Sequence, residues 1–403
     1  MHVLFVHRSF PAQFGHIAAH LVRQRGYRCT FVSGAESGSV AGIESISYRP
    51  AGEASNSTHL FARAFEEKIR HARGVYDALQ PLRHNLHPDL IVGHAALGGT
   101  VFLPDVFPAT PILNYFEDFY QPDRSPSDFR PEWPRSKEDR LRARAQTAMS
   151  LLHLEYCDAA YSPTHFQHSL LPRTYHRKAT VLHDGIDTEF WRRQGPAERD
   201  RFGSPRIVTY VARALEPMRG FDIFMRVAKR IYEQFPDVVF LVVGSEHGGY
   251  GDQIRHIPES SFKEHVLKSD EYDLERIQFL GPVTPEALVA IFSMSDLHIY
   301  LTVPFVLSWS LLGAMACGCT VVASDTAPVR EVIRQGENGL LGDFFDVDGL
   351  AEAALEVLRD PPAFRALGEA AERTIAERYS LEVVLPQMTA LYESVARARN
   401  GPP

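Results

Sequence analysis

The chain has 403 residues, 45% of them hydrophobic and 23% charged, with a formal net charge of −8. That length is enough for two cores and two domains, and the acidic balance excludes a nucleic-acid binder or a protein that adheres as a whole to an anionic membrane. No apolar run approaches the roughly 20 residues of a membrane span. The opening MHVLFVHRSF, broken by His7 and Arg8, predicts a strand rather than a signal peptide. Four scattered cysteines, Cys29, Cys157, Cys317 and Cys319, lack C-x-x-C spacing and predict reduced thiols in a cytoplasmic protein.

In chain order, residues 3–6 form a buried strand and residues 8–15 a loop. A helix over 16–24 carries Ile17, Ala18 and Leu21 on one face, Gly26 stops it, and 29–34 is the next strand. This is a βαβ unit, hence a parallel, doubly wound sheet. Gly15 alone is not a G-x-G-x-x-G fingerprint, which argues against NAD. Residues 53–87 predict a polar helix. Two strands follow, one ending at His94 and one at Glu117. Ligands of open α/β sheets bind beyond the carboxyl ends of the strands, so both residues are candidates; a satisfied histidine and an N-cap carboxylate fit the same pattern. Residues 121–136 are rich in proline and predict a long loop over the acceptor side, with Phe129 and Trp133 either stacking on an acceptor or anchoring the loop. A helix over 137–156 and a strand over 157–162 come next, then a helix opened by Ser162-Pro163-Thr164. A strand from 179 runs into a sharp turn at Gly185, and residues 194–204 are the best linker.

The second half opens on a strand over 206–212, followed by a loop holding Arg213 and Arg219 and a helix from Phe221. Two guanidinium groups after a strand, beside a helix start, suit a diphosphate, although two solvated surface arginines share the pattern. A strand over 238–243 ends at Gly244, before the glycine-rich stretch 245–251. Residues 277–283 form a strand, 286–293 a helix, and 297–301 a strand. Ser308 then caps a helix that reaches Ala316 and stops at Cys317-Gly318. A strand feeding a helix N-terminus favours an anion through its free amides and dipole, and any α/β crossover has the same spacing. A strand over 320–324, a turn at 336–341, and helices over 347–358, 362–377 and 381–396 complete the chain.

The run Gly313-Ala314-Met315-Ala316-Cys317-Gly318 resembles the donor-site motif of GT-B glycosyltransferases of the family 4 type. In those enzymes two glutamates, with seven residues between them, precede Ala-Met-Ala and a glycine. Here Phe305 and Gly313 stand at the two glutamate positions. The loop holding Gln13, Phe14 and Gly15, the Asp184-Gly185-Ile186-Asp187 stretch, the Arg213/Arg219 loop with arginine replacing lysine, and the turn at Gly336 match the family as well. The resemblance implies an α/β GT-B fold, with two Rossmann-like doubly wound domains facing a cleft. It divides the chain into an acceptor domain over 1–194, a donor domain over 204–376, and a C-terminal segment over 377–403 packing back on the first.

The activity implied is retaining transfer of a sugar from a UDP- or GDP-sugar. No metal is needed, because cationic groups neutralise the leaving diphosphate and no D-x-D dipeptide suits a metal. His94, Glu117, Arg213 and Arg219 fall in catalytic roles. Gln13, Phe14, Gly15, Gly244, Val283, Phe305, Ser308, Trp309, Ser310 and Gly313 fall at the donor, with Val283 at the base, position 313 at the ribose and position 305 near the sugar. No cofactor besides the nucleotide sugar is implied. The acceptor is a small molecule, a glycan or a lipid-linked sugar, and a homodimer stays open. Two alternatives stand beside this reading: a degenerate homologue that binds a nucleotide or partner without transfer, and an epimerase of the same fold. A mid-helix glycine costs about 0.5–1 kcal/mol against alanine. Gly313 is therefore expected either to face the ribose, so that Gly313→Glu tightens binding, or to lie under something that fills its space.

Overall fold

The computed structural model describes all residues except 35–37, 39, 54, 56, 123–124, 196–204, 251–256 and 401–403, and the side chains of 399–400. Most of the expected linker over 194–204, and Gly251 of the glycine-rich stretch, lie outside the described residues. The chain divides into two compact units. Unit 1 is Met1–Ser125, Arg135–Gly185 and Leu381–Pro403; unit 2 is Pro126–Pro134 and Ile186–Ser380.

Unit 1 begins β1 (His2–Val6), α1 (Gly15–Arg25), β2 (Arg28–Gly34), β3 (Ile43–Tyr48) and α2 (Arg63–Leu79). It continues β4 (Leu90–His94), β5 (Ile112–Tyr115), α3 (Lys137–Tyr156), β6 (Ala159–Ser162), α4 (His165–Leu170) and β7 (Ala179–Val181). The strands form one sheet in the order β3-β2-β1-β4-β5-β6-β7, parallel throughout. β1, with every residue buried, is the near-continuous apolar run that a sheet covered on both faces requires. The long helix expected over 53–87 is shorter: α2 starts at Arg63, after β3, an edge strand whose middle faces water. α3 opens on a capping box, Ser136 and Asp139 satisfying each other's backbone N–H.

Unit 2 runs β8 (Arg206–Ala214), α5 (Phe221–Gln234), β9 (Val238–Ser245), α6 (Phe262–Ser269), β10 (Ile277–Gly281) and α7 (Pro285–Met294). β11 (Leu297–Tyr300), α8 (Trp309–Ala316), β12 (Val321–Ser324), α9 (Ala327–Arg330) and β13 (Leu340–Gly342) follow, then α10 (Val347–Arg359) and α11 (Pro361–Arg378). The sheet order is β10-β9-β8-β11-β12-β13, again all parallel. The last helix, α12 (Leu381–Asn400), belongs to unit 1. There Glu393 accepts from Arg25 at 2.6 Å and from Tyr27 at 2.7 Å, and the Tyr392 ring centroid lies 6.2 Å from that of Phe5.

In both sheets the strand order reverses beside the first strand, between β1 and β4 and between β8 and β11. Such switch points open a crevice at the carboxyl ends of the strands. The loop expected over the acceptor side packs elsewhere: Pro126–Pro134 is part of unit 2. The Phe129 ring lies 5.3 Å from Phe345 and 5.5 Å from Phe344, and the Trp133 ring 6.4 Å from Phe262 and 6.0 Å from His265. These two aromatics anchor the segment. No described helix is long and apolar enough to cross a membrane.

Candidate functional site

In unit 2 the chain leaves β8 and makes a short turn, Pro217–Arg219, closed by Gly220 at φ 62°. A Cβ on Gly220 would stand 2.9 Å from Leu301 and from Phe344, so only glycine fits both the left-handed conformation and the space. The turn holds Arg219 at 5% exposure. Its Nη1 donates to Thr302 Oγ1 at 2.9 Å, to the Val306 carbonyl at 3.0 Å and to Tyr300 Oη at 3.3 Å. Its guanidinium lies 5.6 Å from the Phe305 ring centroid. Nε and Nη2 have no partner among the described residues, so a desolvated cation keeps one hydrogen-bonding edge open.

Arg213 is exposed. Its Nη1 donates to Tyr250 Oη at 2.8 Å, and the guanidinium lies 5.3 Å from the centroid of the Tyr250 ring, which itself sits 5.1 Å from the Phe305 ring. Glu216, between the two arginines, is fully buried. One carboxyl oxygen accepts from the Tyr250 N–H and the other has no partner among the described residues; burial pushes the carboxyl up to about 7.

The amides expected to receive an anion at Ser308–Ser310 are mostly engaged. Ser308 N–H donates to Tyr300 Oη at 3.0 Å and Ser310 N–H to Ser308 Oγ at 3.2 Å. The tyrosine at the end of β11 and the N-cap hydroxyl reach these donors first, which leaves the Trp309 N–H as the one of the three without a partner among the described residues. Gly244 is the last residue but one of β9, where a Cβ would stand 2.8 Å from the Ala212 carbonyl oxygen, and Val283 packs half-buried against the core of α7 and α8. Gly313 lies inside α8 with Trp191 over it: a Cβ there would meet the ring at 2.9–3.3 Å.

In unit 1, His7 follows β1, His94 ends β4 and Glu117 follows β5. His94 Nδ1 accepts from the Ala96 N–H at 3.2 Å, which assigns its proton to Nε2, 3.6 Å from a Glu117 oxygen. Burial drives the Glu117 pKa up, but hydrogen bonds from His94 and Gln13 outweigh it and hold the carboxylate below its usual range. The His7 ring lies 5.4 Å from His94, and its Nδ1 lies 2.7 Å from the Ser9 carbonyl oxygen and 2.9 Å from the Ser9 nitrogen. Burial and the neighbouring His94 lower its pKa to about 4, so it stays neutral. Asp118 is pushed up to about 7 by burial, with the Glu117 charge adding. Of Gln13, Phe14 and Gly15, only Gln13 offers a polar side chain, and its Oε1 is buried without a partner among the described residues. Phe14 is core, packed against Phe5, His7 and Tyr115, because the turn that starts α1 points it inward. Gly15 begins α1 where a Cβ would press on Pro11 at 2.9 Å.

Sequence reasoning passed over His7, Asp118, Trp191, Glu216, Tyr250 and Thr302. His7 and Thr302 stand just past strand ends beside the switch points, a signal readable once the strand order is known. Nothing local marks the others.

Two family models match in succession: the glycosyl transferase family 4 group over residues 25–191 and the glycosyl transferases group 1 over residues 192–374. The N-acetyl-alpha-D-glucosaminyl L-malate synthase of Bacillus anthracis is 25% identical over 248 residues, 59% of this chain and 61% of that protein. The phosphatidyl-myo-inositol mannosyltransferase of Mycolicibacterium smegmatis is 31% identical over 200 residues, 48% of this chain and 46% of that protein. The chain thus spans about half the length of the curated relatives it matches. Among solved structures, sucrose-phosphate synthase from Thermosynechococcus elongatus superposes with a TM-score of 0.75 at 18% identity, covering 99% of this chain and 100% of that one. Anabaena HepE in complex with UDP and glucose gives 0.69 at 15% identity, covering 97% and 99%. With one model falling mainly on the sheet of unit 1, the next on that of unit 2, and whole-chain likeness in fold, the chain belongs to the group 1 glycosyltransferases and has their GT-B fold.

Proposed function

We propose that the protein is a retaining, metal-independent glycosyltransferase of the cytoplasm that moves a sugar from a nucleotide-diphosphate sugar to an acceptor hydroxyl. The observation that carries this reading is Arg219: a buried guanidinium, fixed through Nη1, with Nε and Nη2 open among the described residues and with the Phe305 and Tyr250 rings between it and Arg213. A buried cation is costly unless paired, and a diphosphate is the pairing that two arginines suit, Arg213 the last residue but one of β8 and Arg219 in the turn after it. The UDP complex of the HepE structure supports the donor class.

In the reaction, Arg213, Arg219 and the Trp309 N–H take up the charge that grows on the leaving phosphate, which makes their contribution catalytic. The leaving phosphate accepts the acceptor's proton on the face it departs from, so no separate base is required. Glu117, ionised and braced by His94 and Gln13, accepts hydrogen bonds from hydroxyls of the sugar or acceptor. The hydroxyl-bearing acceptors in the relatives' names, malate and phosphatidyl-inositol, support a polyol or hydroxy-acid acceptor. Isothermal titration with UDP, GDP, ADP and TDP tests the site. At least one should bind, and the Arg213→Ala/Arg219→Ala variant should weaken it by about 1.5–3 kcal/mol for each charge-assisted hydrogen bond lost. An unchanged Kd in that variant refutes the diphosphate site.

A further inference from the structure

The segment Pro126–Pro134 is covalently flanked on both sides by unit 1 yet belongs to unit 2. Its centre is Arg130, 1% exposed and the largest fully buried side chain in the described structure. All five of its N–H groups are engaged. Nη1 donates to the Pro217 carbonyl at 2.8 Å and to Asp222 Oδ1 at 2.8 Å, Nη2 to Asp222 Oδ2 at 2.6 Å and to Glu132, and Nε to Glu132 at 2.9 Å. Pro217 and Asp222 bracket Arg219: the first opens the turn that ends at Arg219, and the second lies in the first turn of α5. The guanidinium also lies 5.5 Å from the ring of Phe344, the ring against which Gly220 closes. One buried arginine on the strap therefore touches both ends of the turn that presents the open edge of Arg219.

We propose that Arg130 is a positioning residue for nucleotide-diphosphate binding, holding the 217–220 turn so that Arg219 is presented in a single orientation. The proposal rests on the reading of Arg219 as a diphosphate ligand. Phe129 and Trp133 already anchor the strap by apolar packing. A buried ion pair adds little net stability over apolar residues of the same volume, whereas a bidentate pair plus a carbonyl contact fixes the direction of everything attached to it.

The test uses the full chain. UDP and GDP affinities are measured for the wild type, Arg130→Gln, Arg219→Ala and the combination, with amide hydrogen exchange of residues 126–134 and 215–222 followed in each. Arg130→Gln should weaken the nucleoside diphosphate about tenfold, and should add nothing once Arg219 is alanine. Additive effects, or an unchanged Kd in a folded Arg130→Gln protein, overturn the proposal. If Arg130→Gln fails to fold because Asp222 keeps only its 3.4 Å pairing with Arg226, Arg130→Met/Asp222→Leu removes both charges: it should keep the melting temperature and still lose the affinity, and retained affinity overturns the proposal. If the wild type binds neither UDP nor GDP, the reading of Arg219 has failed, and exchange alone judges the strap. Joint loss of protection at 126–134 and 217–221 in Arg130→Gln keeps its hold on the turn, and unchanged protection at 217–221 refutes it.

Discussion

Gly313 stands where the family resemblance places a carboxylate, and the structure makes its replacement a quantitative test. Residues 311–316 of α8 are all buried. A Cβ at 313 would lie 2.9 Å from Trp191 Cε3, 3.1 Å from Cζ3 and 3.3 Å from Cδ2. The ring has little room to yield, since its centroid is 5.2 Å from Phe190 and 6.2 Å from Phe292. Alanine would gain about 0.5–1 kcal/mol of helix propensity. Overpacking costs about 1–3 kcal/mol, so Gly313→Ala should lose about 0–2.5 kcal/mol net. Gly313→Glu should lose more, because it also presses a carboxylate against an aromatic cluster. The space at 313 is filled by the Trp191 ring, which favours the alternative over the expectation that glutamate there stabilises the helix and grips the ribose. Thermal unfolding with a UDP titration on Gly313→Ala, Gly313→Glu and Trp191→Ala/Gly313→Glu is the assay. The double variant should recover part of the loss, since the ring that blocks the carboxylate is gone. A Gly313→Ala protein more stable than wild type, or a Gly313→Glu protein that keeps its melting temperature and binds nucleotide more tightly, would refute the packing argument.

Sugar transfer should be unaffected by EDTA; activity abolished by the chelator and restored by manganese would contradict charge neutralisation by Arg213 and Arg219. Glu216 predicts a pH dependence of stability. Its folded pKa of about 7 lies above the ordinary 4.5, so its contribution is fully present below about 4.5 and is lost as pH rises through 7. Glu216→Gln should flatten the fall in melting temperature between pH 5 and about 8, with Asp118, also raised to about 7, keeping part of the slope. An unaltered slope would mean that Glu216 stays ionised. His7, lowered to about 4, acts in the opposite direction and matters only as pH falls from 6.5 through 4.

The sequence makes the sheets legible because parallel strands are buried on both faces: the runs at 3–6 and 238–243 can be little else. β3 escapes because an edge strand with an exposed middle carries no such run. The predicted helix over 53–87 comes out too long, since only 63–79 has a buried face. Ser308 is recognisable as an N-cap, because capping is local. That Tyr300, eight residues back, takes the Ser308 N–H is tertiary information, as is the core that Phe129 and Trp133 reach. His94 and Glu117 are visible as strand ends, whereas the tautomer that joins them depends on the Ala96 amide, which only a folded loop places.

Both positions where the family resemblance places a carboxylate are occupied by aromatic packing: Phe305 is buried beside Arg219 and Tyr250, and Gly313 lies under Trp191. Neither is an empty space, and Arg219 stands beside the first of them, with Arg213 on the far side of the Tyr250 ring. Binding energy in such a site moves from the ribose to the phosphates, and this sets a measurable contrast. A site built to hydrogen-bond a hydroxyl rejects the analogue lacking it by roughly 10⁴–10⁵, because its own polar group is left unpaired. A site with no carboxylate at 313 has no such group to strand there. Replacing UDP by 2′-deoxy-UDP should therefore change Kd by less than about threefold, under 1 kcal/mol. Removing the β-phosphate, by titrating UMP, should cost about 1.5–3 kcal/mol for each charge-assisted hydrogen bond that Arg213 and Arg219 lose. Competitive titration of the three nucleotides against one protein preparation measures both differences. A loss of tenfold or more on the 2′-deoxy nucleotide would mean that another polar group holds the ribose, and the account of an aromatic-filled, phosphate-driven site would fall.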